Sequence, residues 1–466
     1  MPGFETLLPR PFSVTRRPGD CPWPVEPEIR TDTTLPAEGY RLTLTPEGIA
    51  IDAADAAGEY YARQTLRQLI GPDAFRAAAI RDARRTLPCG VIDDHPRFRW
   101  RGCLLDVARN FRTKAEVLRF VDLLGAHKLN VLHLHLTDDQ GWRIEVPGLP
   151  LLTEIGSWRR ESMVGRHDGP QRDGRPHGGF YTADDLREIV AYAAERSVTV
   201  VPEIDVPGHA RAALAAYPEL GPETEEPWEV WTSWGISTAL LAPTDYARDF
   251  FRRVFDHVLD IFPSEVIGIG GDEVPGATTE HGLFVADLAR YLAERGRRAL
   301  GWDEVLEIGA LPPMVIGAWQ DEAAAARAVA AGHDVVLCPE DRIYLDHRQS
   351  DHPGEPIPVG YLRTLEDMYR YEPAFDGPHI LGIQAQIWSE HLDTVRRIDY
   401  AAFPRLCAVA ETAWSPKNRD YEEFLPRLRD EHLPRLDALG VEYRPLTGPH
   451  PWQTRPDVPA SAHRPR

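Results

Sequence analysis

The sequence predicts an α/β chain, a (β/α)8 TIM barrel preceded by a small α+β domain, and three observations carry that reading. Beyond Arg101, short apolar runs alternate with helical stretches, the pattern of repeated βα units around a parallel sheet. The runs number eight, which is the count that closes such a barrel. Before residue 95 the pattern is a hairpin and one amphipathic helix, enough for a separate small domain.

In chain order, Tyr40–Thr45 alternates polar and apolar residues, Pro46-Glu47-Gly48 is a turn, and Ile49-Ala50-Ile51 resumes the strand. Tyr61, Leu66, Leu69 and Ile70 then recur at helical spacing, and Gly71-Pro72 ends that helix. Asp93-Asp94-His95-Pro96 reads as a linker. Barrel strands are expected at Cys103–Val107, Val131–Leu136, Val198–Ile204, Val266–Gly270, Ala299–Trp302, Met314–Ala318, Asp334–Cys338 and Ile380–Ile387. Helices are expected at Lys114–His127, Asp184–Arg196, Tyr246–Ile261, Leu283–Arg295 and Glu322–Ala331. The resulting domains are 1–95, the small α+β unit; 96–425, the barrel; and 426–466, a C-terminal helix and Pro-rich tail packed on the barrel.

The 466 residues are 43% hydrophobic and 27% charged, ample for a large core. A net charge of -20 without a basic stripe argues against nucleic acid as a partner. Five cysteines without metal spacing, an odd number, argue against a disulfide framework and for a reducing compartment. Met1–Asp20 has no apolar run of the signal-peptide kind, and no stretch approaches 18 uncharged apolar residues. A cytoplasmic enzyme without membrane contact, metal or cofactor is the expectation.

Barrels of this kind build their sites where strands end. The eight strand ends carry, in order, Arg109; Asp138-Asp139-Gln140-Gly141-Trp142; Glu203, Asp205 and His209; Asp272-Glu273; Trp302; Trp319; Tyr344 and Asp346; and Trp388 and Glu390. Indole faces stack on the apolar faces of sugar rings, while carboxylates and Arg bond hydroxyl groups directionally. The mixture reads as a pocket for a small carbohydrate. Gly270-Gly271 removes bulk below the carboxylate pair. Being neighbours, Asp272 and Glu273 cannot flank a glycosidic bond from opposite faces, as the acid and nucleophile of ordinary retaining glycosidases do. A 2-acetamido group on the substrate could supply the nucleophile instead.

Four segments in order, Asp106-Val107-Ala108-Arg109-Asn110-Phe111, His135-Leu136-Thr137-Asp138-Asp139-Gln140-Gly141-Trp142-Arg143, Pro202-Glu203-Ile204-Asp205-Val206-Pro207-Gly208-His209 and Gly270-Gly271-Asp272-Glu273, are similar to motifs of glycoside hydrolase family 20, the β-N-acetylhexosaminidases. The resemblance runs from about Tyr40 to Trp414. It implies that Glu273 is the general acid and base, and that Asp272 orients the acetamido group and balances an oxazolinium charge. It further implies that Tyr344 holds the acetamido oxygen and that Trp302, Trp319 and Trp388 wall the pocket. Arg109, Asp346 and Glu390 would bind ring hydroxyls, and Asp138 with His209 would tune the acid. One departure is Gly268, where the family usually has His, and altered packing below the site is expected there.

Three other readings remain at this point. One is a disaccharide-releasing relative, and another is a barrel that binds N-acetyl sugars without cleaving them. The third is a metal-dependent barrel hydrolase using His133 and His135, which share one face of a strand.

Overall fold

In the computed structural model, which describes residues 3–81, 84–166, 169–307, 311–357, 359–450, Trp452 and Val458, eight parallel strands close into a barrel. They are Trp100–Asp106, Val131–His135, Thr199–Glu203, Val266–Gly270, Arg298–Trp302, Val315–Ala318, Asp334–Leu337 and Ile380–Ile387. The last pairs with the first over six residue pairs, from Gly382 with Trp100 to Ile387 with Leu105, so no edge is left open. All eight sequence-derived strands are present. Each strand gives one residue to an apolar plug at the lower end of the barrel: Trp100, Val131, Val201, Val266, Leu300, Val315, Val336 and Leu381. The interior above the plug turns polar, with His133, Glu203, Gln384 and Gln386 all buried.

The helices form where local chemistry starts them. Thr113 and Glu116 make a reciprocal capping box that opens helix Lys114–Ala126, and Thr182 with Asp185 does the same for Ala183–Ala194. Helix Asp245–Ile261 is amphipathic and buries Phe250, Phe251, Val254, Phe255 and Val258 against the barrel. After the fifth strand the connection is the 3-10 turn Asp303–Glu307.

The N-terminal unit is a five-stranded sheet in the order Ser13–Pro22, Thr86–Asp94, Tyr40–Thr45, Gly48–Ala53, Glu28–Thr31, with helix Ala56–Ile70 packed on it. The hairpin and helix lie where the sequence puts them. The segment Asp93-Asp94-His95-Pro96 is no free linker: Asp93 and Asp94 end a strand, and Asp94 is 3% exposed. Its Oδ2 accepts from Lys128 Nζ at 2.8 Å and from the Tyr40 hydroxyl at 2.7 Å, while Oδ1 accepts from Trp414 Nε1 at 2.9 Å. Local sequence shows a turn-like acidic stretch, and the partners that make it a joint lie 34 and 320 residues away.

Two further expectations are corrected. The first barrel strand begins at Trp100 instead of Cys103, because Arg101 is wholly buried with its guanidinium donating to Lys128 O, Phe98 O and Tyr61. A charged residue there looks like a strand boundary, but its carrier faces the small domain. The C-terminal helices Tyr421–Arg427 and Leu433–Ala438 pack on that domain as well as on the barrel, with Arg427 donating to Leu7 O and Arg435 to Thr6 O and Gln68. The Pro-rich tail from residue 451 lies outside the described residues, Trp452 and Val458 excepted.

Removing one partner of a buried ion pair leaves the other charge uncompensated, at about 3 to 5 kcal/mol. Asp94→Asn is therefore expected to lower unfolding free energy by about 3 kcal/mol or more, read from guanidinium unfolding. A loss below about 1 kcal/mol would show that the Lys128 pair does not join the two units.

Candidate active site

The fourth strand ends in two glycines with φ of 69° at Gly270 and 90° at Gly271. A Cβ at Gly270 would lie 1.7 Å from Asp205 Oδ1, and one at Gly271 would lie 2.4 Å from Val305 Cγ1. The step is therefore open only to glycine, and its amide is fixed by donation from Gly271 N to Asp205 Oδ1 at 3.2 Å. Two residues on, Glu273 itself has φ 48°, a conformation that side-chain-bearing residues seldom adopt and that a surrounding structure must enforce. The result is a buried Asp272 carboxylate and a Glu273 side chain that is 31% exposed, side by side at the barrel mouth.

Beneath them runs a chain of buried groups of alternating charge. His209 Nε2 is 3.5 Å from Glu273 Oε2 and 3.7 Å from Asp272 Oδ2. Its Nδ1 faces Asp138 Oδ1 at 3.2 Å. Asp138 Oδ2 takes Arg109 Nη2 at 2.8 Å and His135 Nε2 at 2.8 Å. His135 Nδ1 reaches Glu203 Oε2 at 2.6 Å. Burial opposes every charge here, and the neighbours outweigh it: Glu203 and Asp138 lift His135 to about 10. Arg109, His209 and His135 hold Asp138 well below the usual carboxylate range, and Asp138 and Asp272 raise His209. Asp272 is different, since burial and the charge on Asp205 both push its carboxyl well up.

Ten of the eleven sequence-predicted site residues line one cavity of about 360 Å³: Arg109, His209, Asp272, Glu273, Trp302, Trp319, Tyr344, Asp346, Trp388 and Glu390. Asp138 lies under its floor. The aromatic wall is continuous, with Trp388 6.0 Å from Trp302 and 6.5 Å from Tyr344 between ring centres, and the Arg109 guanidinium 5.1 Å over the Trp388 ring. Asp272 Oδ1, Trp302 Nε1, Asp346 Oδ1 and Glu390 Oε2 are buried without a hydrogen-bond partner among the described residues. Arg109 pairs with Asp106 and Asp138 while facing the cavity.

Several lining residues escaped the sequence reading, among them Trp234, Ile236, Glu340 and His391. The run Trp228, Trp231, Trp234 in the loop after the third strand, with its spacing of three, was the available signal. Glu304 was also missed: it follows Trp302 by two residues, and its Oε2 accepts from Trp319 Nε1 at 2.8 Å, fixing that wall. Its neighbour Asp303 binds the backbone amides of Trp319 and Gln320, and burial pushes its carboxyl up to about 7.

His133 and His135 do share the barrel interior, and both nitrogens of His135 face carboxylates, Nδ1 toward Glu203 and Nε2 toward Asp138, whose charges raise its pKa to about 10. His127, Cys407 and His432 also meet, at 2.9 Å between the two Nε2 atoms and 3.5 Å from Cys407 Sγ to His127 Nε2. These are the distances of hydrogen bonds among buried neutral groups.

The model of glycosyl hydrolase family 20, catalytic domain, matches residues 98–281 and 276–417, and that of domain 2 of the family matches residues 6–95. A β-hexosaminidase of Porphyromonas gingivalis is 38% identical over 448 residues, covering 89% of this chain and 56% of that protein. A β-hexosaminidase of Akkermansia muciniphila is 35% identical, covering 95% of each. The crystal structure of an exo-β-N-acetylglucosaminidase of Vibrio harveyi in complex with N-acetylglucosamine superposes with a TM-score of 0.83 at 32% identity, over 97% of this chain and 80% of that one.

A group whose pKa is raised by folding contributes stability that is present below its unfolded value and lost as pH climbs through its folded value. For His135 that window runs from about 6.5 to about 10, and His209 adds in the same direction. The urea midpoint is expected to fall steadily between pH 6.5 and 10; a flat or rising midpoint would contradict an imidazolium at His135.

Proposed function

The chain belongs to glycoside hydrolase family 20, and from that membership we propose that it is an exo-acting β-N-acetylhexosaminidase, releasing terminal β-linked GlcNAc or GalNAc with retention through an oxazolinium intermediate. The observation that carries the reading is the adjacency of Asp272 and Glu273 on one side of an aromatic-walled cavity. Consecutive residues at one strand end cannot serve as acid and opposing nucleophile. The acetamido carbonyl oxygen attacks the anomeric carbon as the aglycone C–O bond breaks, and the Glu273 carboxyl hands its proton to the departing oxygen. Glu273, now a carboxylate, takes a proton from water, which adds at the anomeric carbon and opens the oxazolinium ring.

Asp272 suits the complementary role. Burial and Asp205 disfavour its charge in the unfilled pocket, so a donor N–H and then a developing cation beside it are stabilised more than the ground state is. Tyr344 holds the acetamido oxygen; Trp302, Trp319 and Trp388 enclose the methyl group and the ring. Arg109, Asp346 and Glu390 take the hydroxyl groups. A cavity at the small end of the ligand-pocket range supports capture of one terminal sugar. The five cysteines are free and buried, which supports a reducing, cytoplasmic setting. No helix among the described residues is long and apolar enough to cross a membrane.

Glu273→Gln is expected to lower kcat on an aryl N-acetyl-β-glucosaminide at least about a hundredfold, the scale of general acid catalysis. An unchanged rate would remove the acid assignment. A thiazoline analogue of the oxazolinium ion should inhibit at micromolar concentration or below, whereas the plain glucoside should bind poorly. Trapping a covalent glycosyl-enzyme on any carboxylate would refute participation by the substrate.

A further inference from the structure

Glu203 ends the third strand in register with His135 on one side and Gly268 on the other. Its side chain is wholly buried, yet Oε2 alone engages neighbours, His135 Nδ1 at 2.6 Å and His133 Nε2 at 3.2 Å; Oε1 has no partner among the described residues. A carboxylate in such a place costs folding energy that an apolar residue of the same volume would not. Gly268 packs against its stem, where an added Cβ would lie 2.7 Å from Glu203 Cβ, 2.9 Å from Cγ and 3.0 Å from Cα.

We propose that Glu203 is a positioning residue for the catalytic acid, acting through His135, Asp138 and His209 on Glu273. The proposal rests on the assignment of Glu273 as that acid. Asp138 is the branch point, with Arg109 pulling on the same oxygen that His135 holds. If Nδ1 of His135 has no carboxylate, the ring is no longer bound to carry two protons. A neutral ring can then turn a lone pair toward Asp138 Oδ2, which repels it. Asp138 then follows Arg109, and the 3.2 Å contact that aims His209 at Glu273 is lost. The charged and titratable groups facing this relay are His133 from the second strand and Asp139 after it, Asp205 beyond the third, Asp272 beyond the fourth, Cys338 after the seventh, Glu390 after the eighth, and Arg109 after the first. None of these supplies His135 Nδ1 with a second carboxylate oxygen.

The test compares Glu203→Gln, which keeps shape and removes charge, with Gly268→Ala, which keeps every charge and displaces the Glu203 stem. Both are read with the aryl N-acetyl-β-glucosaminide as kcat, KM and the pH dependence of kcat. Each is expected to lower kcat tenfold or more with KM within threefold, and to move the pH at which kcat falls by at least half a unit. The double variant should be no slower than the slower single, since both act on one contact. A folded Glu203→Gln with the wild-type kcat and pH profile overturns the proposal. So does a loss of kcat with an unmoved profile, the mark of a brace that only holds the barrel. If Glu203→Gln does not fold, Gly268→Ala decides on the same criteria. Glu273→Gln serves as the reference: inactive beside a normal Glu203→Gln, it refutes the positioning role alone; fully active, it removes the acid on which the role depends.

Discussion

Asp138 is the constraint on which the rest of the site depends. One carboxylate, fully buried, collects Arg109 from the loop after the first strand, His135 from the second and His209 from the loop after the third. A lone anion there would be prohibitively desolvated, and each cation would be equally so without it. Alternation of sign from Glu203 through His135 and Asp138 to His209 lets each member offset the burial of the next, so the elements carrying them are held in one relative placement. The apolar plug below does the ordinary work of closing the barrel, and the charges above decide which side chains reach the mouth.

The Gly270-Gly271 step completes that arrangement from the fourth strand. It places Asp272 against the low-dielectric floor, where burial and Asp205 push its carboxyl up, and Glu273 in the wetter part of the cavity. A left-handed Glu273 backbone breaks the alternation of an extended chain where both side chains line the same cavity, and the indole wall limits what can approach.

Much of this was legible from residues 101 to 390, because a closed parallel barrel writes its strands as apolar runs and its site as the residues just past the end of each run. Arg109, Glu273, Trp302 and Trp388 could be found that way. Glu203 was visible as a strand-end carboxylate, but its tie to His135 comes from parallel register across two strands, which no local pattern encodes. Glu304 and Trp234 escaped for a related reason: one sits in a 3-10 turn and the other in an irregular loop, where no periodicity marks which way a side chain faces. Asp94 was misread because its surroundings in sequence are those of a turn, while its partners Lys128 and Trp414 come from the barrel and its last helix.

The joint at Asp94 bears on how such an enzyme can be divided. The Trp414 ring lies 4.4 Å below Lys128 Nζ and 5.0 Å from the Arg101 guanidinium, and both cations find their anions, Asp94 and Glu38, in the small domain. A barrel cut free at residue 96 would expose an indole face and leave two cations facing it with their counter-charges gone. The small domain is thereby a covering piece of the barrel, and a division at residue 96 would run through the ion pairs that join the two.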